Sequence, residues 1–205
     1  MIVIVDYGIG NLGSVLNMLK RVGAAASISS DPMEIETADK LILPGVGAFD
    51  AGMKQLQDSN LIGLLSEKTL ARRTPTLGIC LGMQLLMENS EEGELPGLGW
   101  IKGSNLRFRL DEENGHLKIP HMGWNTVTVK RHDSLFKGLD DEARFYFVHS
   151  YRVVCKNDSD VLATTHHGED FVSALQSANI MGTQFHPEKS HKFGMKVLSN
   201  FAELA

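Results

Sequence analysis

Gly78-Ile79-Cys80-Leu81-Gly82-Met83-Gln84 follows the strand-like run from Pro75 and sets a thiol between two glycines at a strand-to-helix junction. A side chain projected from so tight a turn needs neighbours without Cβ atoms, since bulk at Gly78 or Gly82 would meet the adjoining backbone. Unpaired N–H groups and the positive dipole end at a helix start favour thiolate over thiol. The turn by itself leaves two readings open, a nucleophile and a buried cysteine in a glycine-rich βα turn.

Working upstream, the chain alternates strand and helix. Ile2 to Val5 is a continuous apolar run ending at Asp6, followed by a glycine-rich loop and the helical pattern Val15, Met18, Leu19, Val22. Ala25 to Ser29 and Lys40 to Leu43 read as further strands, and Phe49 to Gln57 and Asn60 to Lys68 as helices. This order predicts an α/β fold with a mostly parallel, doubly wound, flavodoxin-like sheet and helices on both faces. Ligands then sit beyond the carboxyl ends of the strands, where Asp6-Tyr7-Gly8, Pro44-Gly45 and Cys80 fall. Gly8-Ile9-Gly10 lacks the third glycine of a dinucleotide fingerprint and is a weak phosphate signal.

Downstream of Ile101 the runs shorten: Leu106–Leu110, Asn125–Val129, Arg144–Val148, Val161–Thr165 and Phe171–Leu175. They predict antiparallel strands extending the sheet, closed by a helix from about Lys192 to Leu204. Asp111 to Gly115 reads as a solvated hairpin tip.

Next to the apolar run Ile180-Met181-Gly182 lies Gln184-Phe185-His186-Pro187-Glu188-Lys189-Ser190. In an extended segment His186 and Glu188 share a side, with Pro187 restricting the backbone between them. A carboxylate on one imidazole nitrogen fixes the tautomer and leaves the other nitrogen to take the proton from sulfur. Together with the elbow cysteine this predicts a Cys80-His186-Glu188 triad.

Composition bounds the alternatives. The 205 residues fit a single domain over 1–205, with 42% apolar and 22% charged residues. A net charge of −5 without a basic block gives no support for a nucleic-acid surface. No apolar run is long enough to cross a bilayer and no basic leader precedes Ile2, so no membrane association and a cytoplasmic location are expected. Cys80 and Cys155 are the two cysteines; Cys155 reads as a packing residue. His166-His167 point apart in a strand, and no second ligand pair accompanies them, so no metal is expected. His149, within a run of aromatic and β-branched residues, reads as buried and structural.

With these residues in view, the sequence resembles the class I glutamine amidotransferases and, among them, the glutaminase subunits of imidazole glycerol phosphate synthases. The nucleophile elbow and His186-Pro187-Glu188 carry the class. The narrower likeness rests on Asp6-Tyr7-Gly8-Ile9-Gly10-Asn11-Leu12, Pro44-Gly45-Val46-Gly47, His121-Met122-Gly123-Trp124-Asn125, Tyr146-Phe147-Val148-His149-Ser150-Tyr151 and His186 to Ser190. Leu106 to Leu117 carries no motif that can be aligned.

The resemblance implies hydrolysis of glutamine to glutamate and ammonia, without a cofactor. It further implies transfer of the ammonia to a separate (β/α)8 cyclase subunit in histidine biosynthesis. It favours an oxyanion site at the Leu81 amide and at Gly45-Val46-Gly47, with Gln84, one helical turn past Cys80, and Ser150 and Tyr151 contacting glutamine. It also implies a heterodimer interface at Asn11, Trp124, Tyr146 and Lys189. Two other readings stay open: a γ-glutamyl hydrolase or the amidotransferase subunit of another pathway, and a non-catalytic flavodoxin-like redox domain.

Overall fold

A computed structural model describes residues 1–110, 117–140 and 142–204. The expected hairpin tip at 111–115 lies outside the described residues. The first part runs β1 (Ile2–Val5), α1 (Leu12–Arg21), β2 (Ala26–Ser29), α2 (Pro32–Thr37), β3 (Lys40–Gly45), α3 (Phe49–Asp58), α4 (Ile62–Ser66), β4 (Thr76–Cys80) and α5 (Leu81–Leu85). The second part contains β5 (Asn89–Ser90), β6 (Gly103–Arg107), β7 (His121–Thr126), β8 (Thr128–Val129), β9 (Arg144–His149), β10 (Tyr151–Cys155), β11 (Val161–His167), β12 (Glu169–Ser177), β13 (Ile180–Thr183) and α6 (His191–Glu203).

The main sheet has the order β2-β1-β3-β4-β13-β12-β10-β6-β5. Its first five strands are parallel, from β2 through β13. From β12 onward the antiparallel pairs β13–β12, β12–β10 and β10–β6 extend it. All four residues of β1 are buried, as a strand covered on both faces requires. Ile2 and Ile4 join Val15, Leu19, Val197 and Phe201 on the α1–α6 face. Val3 and Val5 join Ile35, Leu41, Met53 and Leu56 on the other, the two-residue side-chain period of a strand. α2, which the sequence pattern did not reveal, starts at Pro32 with the Asp31 carboxylate accepting the Met33 N–H at 2.8 Å.

Three expectations are corrected. The helix read as Asn60 to Lys68 begins later, because Asn60 closes a turn at φ 56°, and after α4 it passes into a π-helical turn at Glu67–Ala71. That turn buries Lys68, whose Nζ donates to the Glu36 and Ala38 carbonyls at 2.7 and 2.8 Å. The strands expected at Leu106–Leu110 and Asn125–Val129 fall instead at Gly103–Arg107 and at His121–Thr126 with Thr128–Val129. Finally, β7 and β9 do not extend the main sheet: they pair antiparallel as a separate ribbon. β10, which pairs with β6 and β12, was not foreseen.

Candidate active site

Cys80 ends β4 and caps α5 with φ 54° and ψ −111°, a left-handed conformation that costs a non-glycine residue about 1–3 kcal/mol and recurs at functional sites. The flanking glycines make it possible. A Cβ on Gly78 would stand 2.7 Å from the Gly82 carbonyl oxygen, and one on Gly82 would stand 1.7 Å from the Leu43 carbonyl oxygen. α5 is thus pressed backbone to backbone against β3 and β4, leaving the thiol to project past the sheet end.

His186 and Glu188 arrive from the end of β13. The expected extended segment is a 3-10 turn over Pro187–Lys189, with His186 as its cap. The pair meets nonetheless: His186 Nδ1 donates to Glu188 Oε1 at 2.8 Å, and both side chains are buried. Several bonds lock the turn. His186 N–H donates to the Tyr146 carbonyl at 2.9 Å, Ser190 Oγ donates to the His186 carbonyl at 2.6 Å, and the same Oγ accepts the Tyr146 N–H at 3.0 Å. α6 packs on it through Gly194, where a Cβ would stand 1.8 Å from the Pro187 carbonyl oxygen.

Cys80 and His186 line one cavity of about 320 Å³ with Val46, Gly47, Leu81, Gln84, Glu92, Pro120, Val148, His149, Ser150 and Tyr151. His186 Nε2 has no hydrogen-bond partner, and the thiol instead points to the Val148 carbonyl at 3.9 Å. The two are close enough to interact electrically. Burial alone would push the imidazole down, but interaction with Cys80 together with the hydrogen bond and charge of Glu188 outweighs it and raises His186 to about 10. The site therefore favours an imidazolium beside sulfur.

Sequence reasoning gave two residues of this site no role. Gln184 is fully buried, accepts from Gln84 Nε2 at 3.0 Å and aims its own Nε2 at Cys80 Sγ at 3.8 Å. Its place in the run ending at His186 was the available signal. Glu92 lines the cavity and accepts the Phe49 N–H at 2.9 Å; burial and the charge of Asp50 push its carboxyl up against that bond. No local pattern distinguishes it from the neighbouring acidic residues.

The other expected site residues divide into three groups. Val46, Gly47, Leu81, Gln84, Ser150 and Tyr151 line the cavity, whereas Gly45 lies behind it. Gly45 pairs with Cys80 across β3 and β4, and a Cβ there would meet the Gly82 nitrogen at 2.8 Å, so its contribution is steric. Gly47 has φ 101°, which lets the loop turn beside Cys80. Trp124, Tyr146 and Lys189 lie apart from the cavity: the Trp124 ring stacks on His191 at 5.4 Å and meets Tyr146 edge-on at 6.3 Å, with Lys189 Nζ 5.6 Å from the Tyr146 ring. Asn11 is exposed at the start of α1 without a side-chain capping bond.

The family "Glutamine amidotransferase class-I" matches residues 3–204. The chain belongs to the class I glutamine amidotransferases.

It is 52% identical over 204 residues to imidazole glycerol phosphate synthase subunit HisH 2 of Pseudomonas aeruginosa, covering 100% of both chains. It is 51% identical over 205 residues, with the same coverage, to the protein of that name in Methanococcus maripaludis. Among solved structures, a glutamine amidotransferase superposes with a TM-score of 0.72 at 19% identity, covering 98% of this chain and 99% of that one. PurLQS from Thermotoga maritima gives 0.72 at 21%, covering 98% and 96%. These two likenesses bear on the fold, whose parallel half and antiparallel extension they share with this amidotransferase. Among the described residues no cluster of three or more His, Cys, Asp or Glu could hold a metal, and no helix is long and apolar enough to cross a membrane.

Proposed function

We propose that this amidotransferase, one catalytic domain over residues 1–205, is the glutaminase subunit of an imidazole glycerol phosphate synthase. On this reading it hydrolyses glutamine and delivers ammonia to a (β/α)8 cyclase subunit in histidine biosynthesis. The observation that carries the chemistry is the buried His186–Glu188 pair at 2.8 Å on the cavity that Cys80 lines. The full-length identity with the HisH proteins supports the choice of pathway.

The Cys80 thiolate attacks the side-chain amide carbon of glutamine, and the imidazolium of His186 gives its Nε2 proton to the departing nitrogen. Ammonia leaves and a γ-glutamyl thioester remains. Water then attacks the thioester, its proton passing to His186 Nε2, and glutamate departs with the thiolate restored. Glu188 stays ionised and holds Nδ1–H throughout. Gln184 Nε2 offers a donor to the sulfur while it carries charge.

The oxyanion of each tetrahedral intermediate needs two donors. The Leu81 amide, next after the nucleophile, is one, and an amide of Val46 or Gly47 is the other. Glu92 is suited to the α-ammonium of glutamine. Gln84 commits its amide protons to the Tyr151 carbonyl and Gln184, so its Oε1 remains to accept from substrate, beside Ser150 and Tyr151. Asn11, Trp124, Tyr146 and Lys189 form the surface that meets the cyclase, and exposed Met122 and Trp124 on β7 are consistent with a partner there.

Covalent labelling by a glutamine-like electrophile tests the site. Cys80 is expected to be modified selectively and protected by glutamine; labelling of Cys155 instead, or no protection, would remove the assignment. Co-purification with a cyclase, followed by glutamine turnover with and without its ribotide substrate, tests the pathway. Ammonia release indifferent to any cyclase would favour a free-standing γ-glutamyl hydrolase.

A further inference from the structure

Two buried histidines that the triad does not use stand at the cavity wall: His149 lines the cavity and His121 lies behind it. β7 alternates, sending His121 and Asn125 inward while Met122 and Trp124 stand outside, 63% and 46% exposed. Asn125 Nδ2 lies 3.1 Å from His121 Nε2, His121 Nδ1 lies 3.0 Å from His149 Nε2, and His149 Nδ1 lies 2.8 Å from the Tyr151 carbonyl oxygen.

Donor logic fixes every proton in this chain. A carbonyl only accepts, so His149 Nδ1 carries hydrogen and, in a neutral ring, its Nε2 accepts. His121 must then donate from Nδ1 and accept at Nε2. Asn125 is oriented independently, since its Oδ1 takes the Thr126 N–H at 2.9 Å and its Nδ2 also donates to the His166 carbonyl at 3.0 Å. All links thus run one way, from β7 to Tyr151.

The surroundings keep both rings neutral. Phe108 and Phe171 lie 5.2 and 5.0 Å from His149, and Phe147 lies 4.8 Å from His121. Burial pushes His149 down to about 3 and His121 down to about 4, with positive charge on neighbouring histidines acting in the same direction. The far end of the chain is also a contact with the substrate cavity. The Tyr151 carbonyl takes the His149 proton and a Gln84 amide proton at 3.1 Å, while Val148, just before His149, offers its carbonyl to the Cys80 thiol.

We propose that Asn125, His121 and His149 are positioning residues: their one-way hydrogen-bond chain holds the Val148–Tyr151 wall in the geometry that binds glutamine, anchoring it to β7, whose outer face carries exposed Met122 and Trp124. The assignment rests on the glutaminase reading for the identity of the ligand but not for the existence of the chain. With the wrong tautomer at His149, a lone pair would face the Tyr151 carbonyl and the wall would shift away from Gln84.

Two measurements test it. In the full chain with ¹⁵N-labelled histidine, two-bond proton–nitrogen spectra are expected to show both His121 and His149 protonated at Nδ1 only. This is the less common tautomer of free imidazole side chains in water. A His149 protonated at Nε2 overturns the proposal even if every variant folds poorly. The second measurement is the concentration dependence of Cys80 labelling by 6-diazo-5-oxo-L-norleucine, against chloroacetamide as a small control. His121→Phe removes the donor and is expected to weaken apparent binding of the diazo compound about tenfold, with the chloroacetamide rate unchanged. His121→Asn, which can donate from the same position, restores binding. Unaltered binding by the Phe variant, or an Asn variant no better than Phe, overturns the positioning role. If the wild-type chain shows no glutamine-protected labelling at all, the glutaminase reading falls, and the tautomer spectrum still decides whether the chain exists.

Discussion

The two sides of the cavity are built by different physics. On the Cys80 side, position is fixed by backbone in contact with backbone: Gly78, Gly82 and Gly45 admit atoms that a single methyl group would exclude. On the opposite side, His186 is fixed by hydrogen bonds to Glu188, Tyr146 and, through its carbonyl, Ser190. Close packing is nearly all-or-none, whereas hydrogen bonds can be removed singly and in graded fashion. Activity and stability are therefore expected to separate at the elbow and to fall together around His186.

The largest effect tests the separation directly. Cys80→Ala is expected to lower glutamine hydrolysis about 10⁶-fold with a melting temperature close to that of the parent, since Ala keeps the same Cβ at the same strained backbone. Ammonia-dependent turnover with a cyclase partner should survive. A large loss of stability in this variant would mean that the thiol itself packs the elbow. Glu188→Gln comes next, at about 10⁴-fold, because the nucleophile remains while the imidazole loses its ionised partner.

The same variant sharpens the contrast through pH. His186 is raised from 6.5 to about 10 on folding, so the folded state holds this proton more tightly than the unfolded chain. The resulting stabilisation is full below about pH 6.5 and is lost as pH climbs toward 10. Urea denaturation at a series of pH values should show that decline in the parent chain and a shallower one in Glu188→Gln. Identical slopes would show that the His186–Glu188 pair adds nothing to stability.

Gly82→Ala acts in the opposite sense to Cys80→Ala. Its Cβ would stand 1.7 Å from the Leu43 carbonyl oxygen, so β3 and α5 must part, at a cost of about 3 kcal/mol or more. Denaturant midpoints measure this. A variant as stable as its parent would show that the elbow yields, and the contrast between the two sides would weaken.

Legibility from sequence follows the same division. The parallel half was readable because β1, β3 and β4 are buried on both faces and so appear as continuous apolar runs separated by glycine-rich loops. The elbow around Cys80 was readable because steric exclusion leaves glycine as its trace. The second half was less so: β7 carries the burial alternation of a strand with one outward face, but through His121, Gly123 and Asn125 rather than through aliphatic residues. Its separation from the main sheet depends on pairing with β9, a strand distant in sequence, which no local pattern encodes. His186 and Glu188 meet by a different local geometry from the one their spacing suggests. The expected strand is a 3-10 turn, yet a two-residue spacing with proline between still brings ring and carboxylate together. Gln184 and Glu92 acquire roles only through distant neighbours, Cys80 and Phe49.

Ser190→Ala is the smallest change and the most informative about the hydrogen-bonded side. Its Oγ donates to the His186 carbonyl and accepts the Tyr146 N–H, so it joins the triad turn to the β7–β9 ribbon within a buried setting. Losing both bonds and leaving the Tyr146 N–H without this acceptor should cost about 2 kcal/mol. Because His186 also bonds Tyr146 directly through its own N–H at 2.9 Å, the turn should shift rather than detach, and kcat should fall only a few-fold with KM nearly constant. Denaturation and steady-state kinetics on one preparation would read both quantities. A full loss of activity with stability preserved would mean that His186 tolerates no displacement, making this side of the cavity as unyielding as the elbow.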